Sequence, residues 1–275
     1  MSVPDSNSSP VIIYIKNGIY KEKLTIPESK TNITLLGQDV NKTILTYDDY
    51  ASKKDSEGKD IGTSRSASVF VFCDDFVAEN ITFENSSGPV GQALALSVGG
   101  DKVFFKNCRF LGFQDTMYTF GGTSRQYFYK CYIEGTVDFI FGAATAVFDK
   151  CEIFCKRSGY ITAASTPEGQ KFGYVFKDCK ITGSAPEKSF YLGRPWRPYA
   201  QVVFIKCDLP AIIRPEGWHN WGKESNEQTA FYAEYSNKGE GFEPEKRVKW
   251  SKQLSKEEAS KYTLENVFGG WKPGR

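Results

Sequence analysis

Five of the seven cysteines in this 275-residue chain occupy one position of one recurring motif. The copies read Phe104-Phe-Lys-Asn-Cys108-Arg-Phe110, Tyr127-Phe-Tyr-Lys-Cys131-Tyr-Ile133, Val147-Phe-Asp-Lys-Cys151-Glu-Ile153, Val175-Phe-Lys-Asp-Cys179-Lys-Ile181 and Val203-Phe-Ile-Lys-Cys207-Asp-Leu209. Asn32-Ile-Thr-Leu35 and Asn80-Ile-Thr-Phe83 fit the same frame, with Ile33 and Ile81 in the cysteine position. From Ile81 onward the steps are 27, 23, 20, 28 and 28 residues, the range of solenoid repeats. The apolar segments are short and β-rich and carry no long 3.6-residue pattern, so each copy predicts one coil of a β-solenoid. The polar residue just before the cysteine breaks strict alternation and predicts a sharp bend between two short strands, one that Asn or Asp can turn with left-handed backbone. Stacked coils set equivalent residues about 4.8 Å apart, Phe on Phe and Cys on Cys. The cysteine column therefore reads as small, buried, apolar filler. A redox or metal column is disfavoured because no member has a neighbouring His or second Cys. Cys73 and Cys155 lie outside the column.

The step from Ile33 to Ile81 widens to 48 residues, and the excess, Tyr47 to Ser66, reads as a surface excursion. The repeat is lost from Lys223. There Ser255-Lys-Glu-Glu258 is a capping-box pattern that predicts a short helix covering the last coil, whose edge would otherwise be open.

Composition narrows the chemistry. His219 is the only histidine, which excludes two-His zinc motifs and leaves a single imidazole for triad catalysis. An odd cysteine count without a CxxC pair suggests neither a disulfide framework nor a zinc knuckle, so no metal and no cofactor is expected. A net charge of +2 removes the composition-level argument for nucleic acid or an anionic membrane. No 18-residue apolar run exists and the N-terminus is polar, so neither a membrane span nor a signal peptide is read; a secreted protein would have lost its leader. Asn-x-Ser/Thr sequons begin at Asn7, Asn32, Asn41, Asn80 and Asn85, a pattern too common by chance to establish glycosylation.

Asp115 lies seven residues after Cys108 and Asp138 seven after Cys131. On successive coils of equal turn geometry their backbones would stand on the order of 5 Å apart. Like charges that close cannot both ionise comfortably, so one pKa rises while the other stays low, the separation an acid and a nucleophile need. Stacked aspartates that merely cap turns would give the same spacing. Arg194, in the stiff loop Tyr191-Leu-Gly-Arg-Pro-Trp-Arg-Pro198, is a candidate partner for Asp138. Taken alone, that loop reads equally as a surface ion pair beside a packed Trp.

At these residues the chain closely resembles the pectin methylesterases, which hydrolyse the methyl ester of polygalacturonate. The likeness spans roughly residues 11 to 270 and rests on Gly18-Ile-Tyr-Lys-Glu22, Gly91-Gln-Ala-Leu-Ala-Leu96, Gly112-Phe-Gln-Asp-Thr-Met-Tyr118, Gly135-Thr-Val-Asp-Phe-Ile-Phe-Gly142 and Leu192-Gly-Arg-Pro-Trp196. Each is short, but their order and joint presence are specific. The resemblance implies an all-β fold, a right-handed parallel β-helix with a C-terminal capping segment and short helix, as a single domain over 1–275. It implies Asp138 as nucleophile, Asp115 as general acid/base, Gln92 and Gln114 as oxyanion-stabilising amides and Arg194 as the arginine that hydrogen-bonds the nucleophile. Tyr118, Val137, Phe141, Trp196 and Trp218 match substrate-cleft positions, while His219 matches no family role and reads as a packed or surface residue. The expected partner is methylated homogalacturonan, met outside the cell or in the cell wall or periplasm by a secreted monomer. Family members usually begin with a further strand and helix that cap the first coil; this chain starts just after that segment, at Ser2-Val-Pro-Asp-Ser. The competing readings are a pectin-degrading glycosidase or lyase on the same fold, and a catalytically silent carbohydrate-binding solenoid. The Asn-Thr-Asp, Asp-Asp and His-Gly motifs of β-helical polygalacturonases are not found.

Overall fold

A computed structural model describes residues 3–274. Each of seven coils contributes one strand to each of three parallel sheets, and three further strands extend the first sheet alone. Sheet 1 has ten strands, running from Val11–Ile15 to Lys252–Gln253; sheets 2 and 3 have seven each. This is the expected parallel β-helix, wound in the right-handed sense that parallel crossovers take.

The repeat maps onto one corner. The motif's Phe is the last residue but one of a sheet 1 strand and points inward, and the residue before the column turns the chain into sheet 2. Those residues, Asn32, Asn80, Asn107, Lys130, Lys150, Asp178 and Lys206, all have φ between +49° and +58°. Three are lysines, so the stacked coils hold the left-handed turn even where the side chain does not favour it. Inside, Phe105, Phe128, Phe148, Phe176 and Phe204 form one stack with centroid spacings of 5.0, 4.8, 4.6 and 4.3 Å and interplanar angles of 10° or less.

The cysteines do more than fill space. The thiol of Cys131 donates to the carbonyl of Phe105, Cys151 to Phe128, Cys179 to Phe148 and Cys207 to Phe176, at 3.2–3.6 Å. Each is a small buried group that also satisfies an acceptor on the coil below, which an alanine could not do. Cys73 and Cys155 are buried in the same core, and all seven thiols are free.

The capping box at Ser255 and Glu258 forms as expected. Taking Ser225–Thr229 as α1, it opens α2 (Lys256–Ser260), followed by α3 (Leu264–Val267). These helices do not sit over the last coil. Val267, Phe268, Leu264 and Tyr262 pack along the outer face of sheet 1 against Tyr127, Val147, Val175 and Val203, and Arg125 donates to the Phe268 carbonyl at 2.9 Å. That face is apolar on six successive strands, from Phe104 to Ala233, and covering it removes more apolar surface from water than covering one coil end. Phe242, Val248 and Trp250 pack against the core near the last coil instead, beside a fully buried ion pair between Glu234 and Arg247.

Candidate active site

Asp115 and Asp138 stand at the other corner, where sheet 2 hands over to sheet 3. Each lies two residues ahead of a sheet 3 strand, Met117–Thr119 and Ile140–Gly142, and Met117 pairs with Ile140. The aspartates are thus register partners on adjacent coils, and the Asp115 N–H donates to the Val137 carbonyl at 3.0 Å. Both have left-handed backbone, with φ of +63° and +53°. Gly135 makes room for the second turn: a Cβ there would lie 2.3 Å from that of Phe139.

Their environments differ. Arg194 donates to both Asp138 oxygens, Nε to Oδ1 at 2.9 Å and Nη2 to Oδ2 at 2.7 Å. Asp115 has no ion-pair partner among the described residues. The two are 6% and 9% exposed, dry enough for the difference to matter. Burial drives the Asp115 carboxyl well above the usual carboxylate range, and the Asp138 charge adds to the rise against a smaller opposing pull from Arg194. Burial raises Asp138 as well, and the hydrogen bonds and charge of Arg194 offset that rise only in part. Of the two, Asp115 therefore keeps its proton to higher pH than Asp138.

A cavity of about 480 Å³ opens over the pair. Gln92 and Gln114, bridged as neighbours on adjacent coils, line one side; their side-chain amides make no hydrogen bond among the described residues and are free to donate to a bound group. Tyr118 stacks on Phe141 at 4.6 Å and 10°, and Phe141 meets Trp196 edge-on at 5.7 Å. These three aromatics form a wall suited to a sugar ring. Val137 faces an adjoining groove of about 230 Å³ that shares Gln114 with the main cavity.

One expectation is corrected. Trp218 does not line the cleft: it is 1% exposed and packs in the core against Tyr232 at 4.7 Å and Phe204 at 5.8 Å. Its bridge to Gly193 extends the sheet 3 ladder with the ring on the inner side. Trp221, three residues on and with φ of +63°, takes the cleft position instead. Sequence reasoning missed it, together with Thr63, Ser64 and Ala163 on the cavity lining. The excursion from Tyr47 to Ser66 is therefore also a cleft wall, since its far end returns over the site. Its return, Ser66-Ala-Ser68 into the strand Val69–Val71, was the available signal.

A parallel β-helix that brings two buried carboxyls together, one of them held by an arginine, beside unbonded amide donors fits a hydrolase working through paired carboxyls. Comparison with known proteins makes this specific. A family model described as Pectinesterase matches residues 1–270, and the chain belongs to that family. It is 45% identical over 267 residues to Pectinesterase 31 of Arabidopsis thaliana, covering 95% of this chain and 84% of that protein. Pectinesterase QRT1 of the same plant is 40% identical, with 97% and 72% covered. Among solved structures, pectin methylesterase from carrot superimposes with a TM-score of 0.88 at 34% identity, covering 98% of this chain and 87% of that one. A pectin methylesterase in complex with a hexasaccharide gives 0.86 at 32% identity, with 100% and 92% covered.

Proposed function

We propose that this protein hydrolyses the methyl esters of pectin to pectate and methanol, with Asp138 as nucleophile and Asp115 as general acid and base. The observation that carries the reading is the asymmetry of the pair: two buried carboxyls on adjacent coils, one held by a bidentate arginine and the other without a counter-charge.

The chemistry follows from that asymmetry. An Asp138 oxygen attacks the C6 carbonyl of a methylated galacturonate, and the carbonyl electrons move onto oxygen, where Gln92 and Gln114 donate hydrogen bonds. As the tetrahedral centre collapses, the C–O bond to methoxide breaks and Asp115 supplies the proton that makes it methanol. An Asp138 acyl anhydride remains. Asp115, now ionised, takes a proton from water as that water attacks the galacturonyl carbon; the bond to Asp138 breaks, which regenerates its carboxylate, and the galacturonic acid released loses its remaining proton to solvent. Tyr118, Phe141 and Trp196 hold the sugar and make no bonds; Val137 and the groove beside it would take a neighbouring residue of the polymer.

The same carboxyl pair would suit a retaining glycosidase, so the test is the product. Methanol from highly methylated pectin, with no new reducing ends and no unsaturated product, supports the esterase. Release by Asp138→Asn at the wild-type rate overturns the assignment, and oligogalacturonide binding without turnover from pH 4 to 9 supports the silent solenoid. Pectin lies outside the cell, so the reading includes secretion and action as a monomer, checked by fractionation of the source cells and by solution mass. Among the described residues no helix is long and apolar enough to cross a membrane.

A further inference from the structure

Arg194 is held by more than Asp138. Its guanidinium carbon lies 3.9 Å from the centroid of Tyr160 and 3.8 Å from that of Trp221. A planar guanidinium can meet two rings that closely only on its two opposite faces, while its edge serves Asp138. Three of its sides are therefore occupied, a carboxylate in the plane and a π-face above and below, while the rest faces the cleft.

Each ring is seated in turn. Tyr160 is the register partner of Tyr191 on the next coil and stacks on it at 5.1 Å and 7°. Trp221 is anchored by His219, whose Nδ1 accepts the Trp221 backbone N–H at 3.1 Å. The His219 ring packs against both tyrosines, at 5.7 Å and 5.4 Å. Accepting at Nδ1 requires the neutral imidazole, and burial, with the charges of Arg194 and Arg214, lowers the His219 pKa in that direction. The single histidine thus has a task that involves no proton transfer to substrate.

We infer that Tyr160 and Trp221, the latter seated by His219, are positioning residues that clamp the Arg194 guanidinium so that it presents both donors to Asp138. The need for a clamp follows from the geometry: Arg194 comes from a loop and must reach back to a turn two coils earlier, and an unrestrained arginine on such a reach samples many rotamers. Misplacement of a catalytic partner by 1 Å costs on the order of a hundredfold in rate.

The inference rests on Asp138 as nucleophile, so its test has an arm that needs no turnover. The Arg194 Nε–Hε resonance, assigned by its loss in Arg194→Lys, should sit upfield of ordinary arginines because two rings shield it. It should move toward the ordinary position in Tyr160→Leu and in Trp221→Leu, and hold in Tyr160→Phe. In the kinetic arm, Tyr160→Leu should lower kcat about tenfold or more with KM changed less than about threefold, because Tyr160 stacks on Arg194 and does not line the cleft. Its acid limb, which reports ionisation of Asp138 in the presence of Arg194 and Asp115, should move to higher pH. Tyr160→Phe should recover most of the rate. Trp221→Leu, which also loses a cleft wall, should raise KM as well as lower kcat. An unmoved resonance in both leucine variants, or an unaltered acid limb in folded Tyr160→Leu, overturns the clamp. Absence of methanol release from the wild type would count against the esterase reading, and the resonance would still decide the clamp.

Discussion

The two corners of the coil use one backbone device for opposite ends. Where sheet 1 meets sheet 2, left-handed residues recur coil after coil, and their identities drift among Asn, Lys and Asp with no change in φ beyond a few degrees. Where sheet 2 meets sheet 3, two left-handed residues on adjacent coils are both Asp, and the stack does not go on: the bridge between Gln92 and Gln114 sets Ala93 beside Asp115 on the coil before. At the first corner the neighbour above and below is a copy, Phe on Phe and Cys on Cys, so repetition itself is stabilising. At the second, repetition is a conflict, because stacked carboxylates repel, and it is resolved only by placing Arg194 beside one of them. A solenoid builds its core from sameness and its site from a difference imposed on the same spacing.

Four substitutions would break or sharpen this contrast. Asp138→Asn should lower kcat by on the order of 10⁴-fold or more, since an amide can neither attack nor be oriented by both arginine donors. Methanol release measured beside circular dichroism should show lost activity with an intact fold. Asp115→Asn should cost about a hundredfold to ten-thousandfold in kcat and remove the alkaline limb of the pH profile.

Its effect on stability sharpens the contrast further. A carboxyl whose folded pKa is raised contributes stability that is present below the unfolded value and lost as pH rises through the folded one. Asp115→Asn should therefore raise Tm at pH 7, with the gain vanishing near pH 4. Asp138→Asn should show no such gain, because it leaves a guanidinium without its counter-charge.

At the first corner the effects are on stability alone. Phe148→Ala removes the middle of the stack and should cost about 3–5 kcal/mol in denaturant unfolding, with kcat of the remaining folded enzyme unchanged within about twofold. Lys150→Asn should stabilise by about 0.5 kcal/mol, because Asn enters the left-handed region more easily than Lys. A large loss there would show that the lysines, rather than the stacked backbone, hold the turn.

The parts legible in the sequence were those that repeat. The Phe and Cys columns could be read because their contacts recur at the coil length, and the aspartates because each sits seven residues beyond a column cysteine. The parts that escaped were single events. Nothing local separates Trp218 from Trp221, two residues of one type in a five-residue segment; the Gly193 bridge turns one inward and a left-handed backbone turns the other out. Thr63 and Ser64 sat in a segment whose polarity spoke only of the surface, and a polar loop reads the same whether it borders water or a cleft.

The sequence by itself therefore determined the coil, its register and the pairing of Asp115 with Asp138, because in a stacked chain a fixed count along the backbone is a fixed position in space. The sequence also offered Arg194 as a partner for Asp138, but tertiary structure alone decided that both its donors reach that carboxylate and what holds them there. Arg194, Tyr160, Trp221 and His219 arrive from three coils and two loops of unequal length, and the energy of a buried charge depends on distances across that gathering rather than on any interval along the chain.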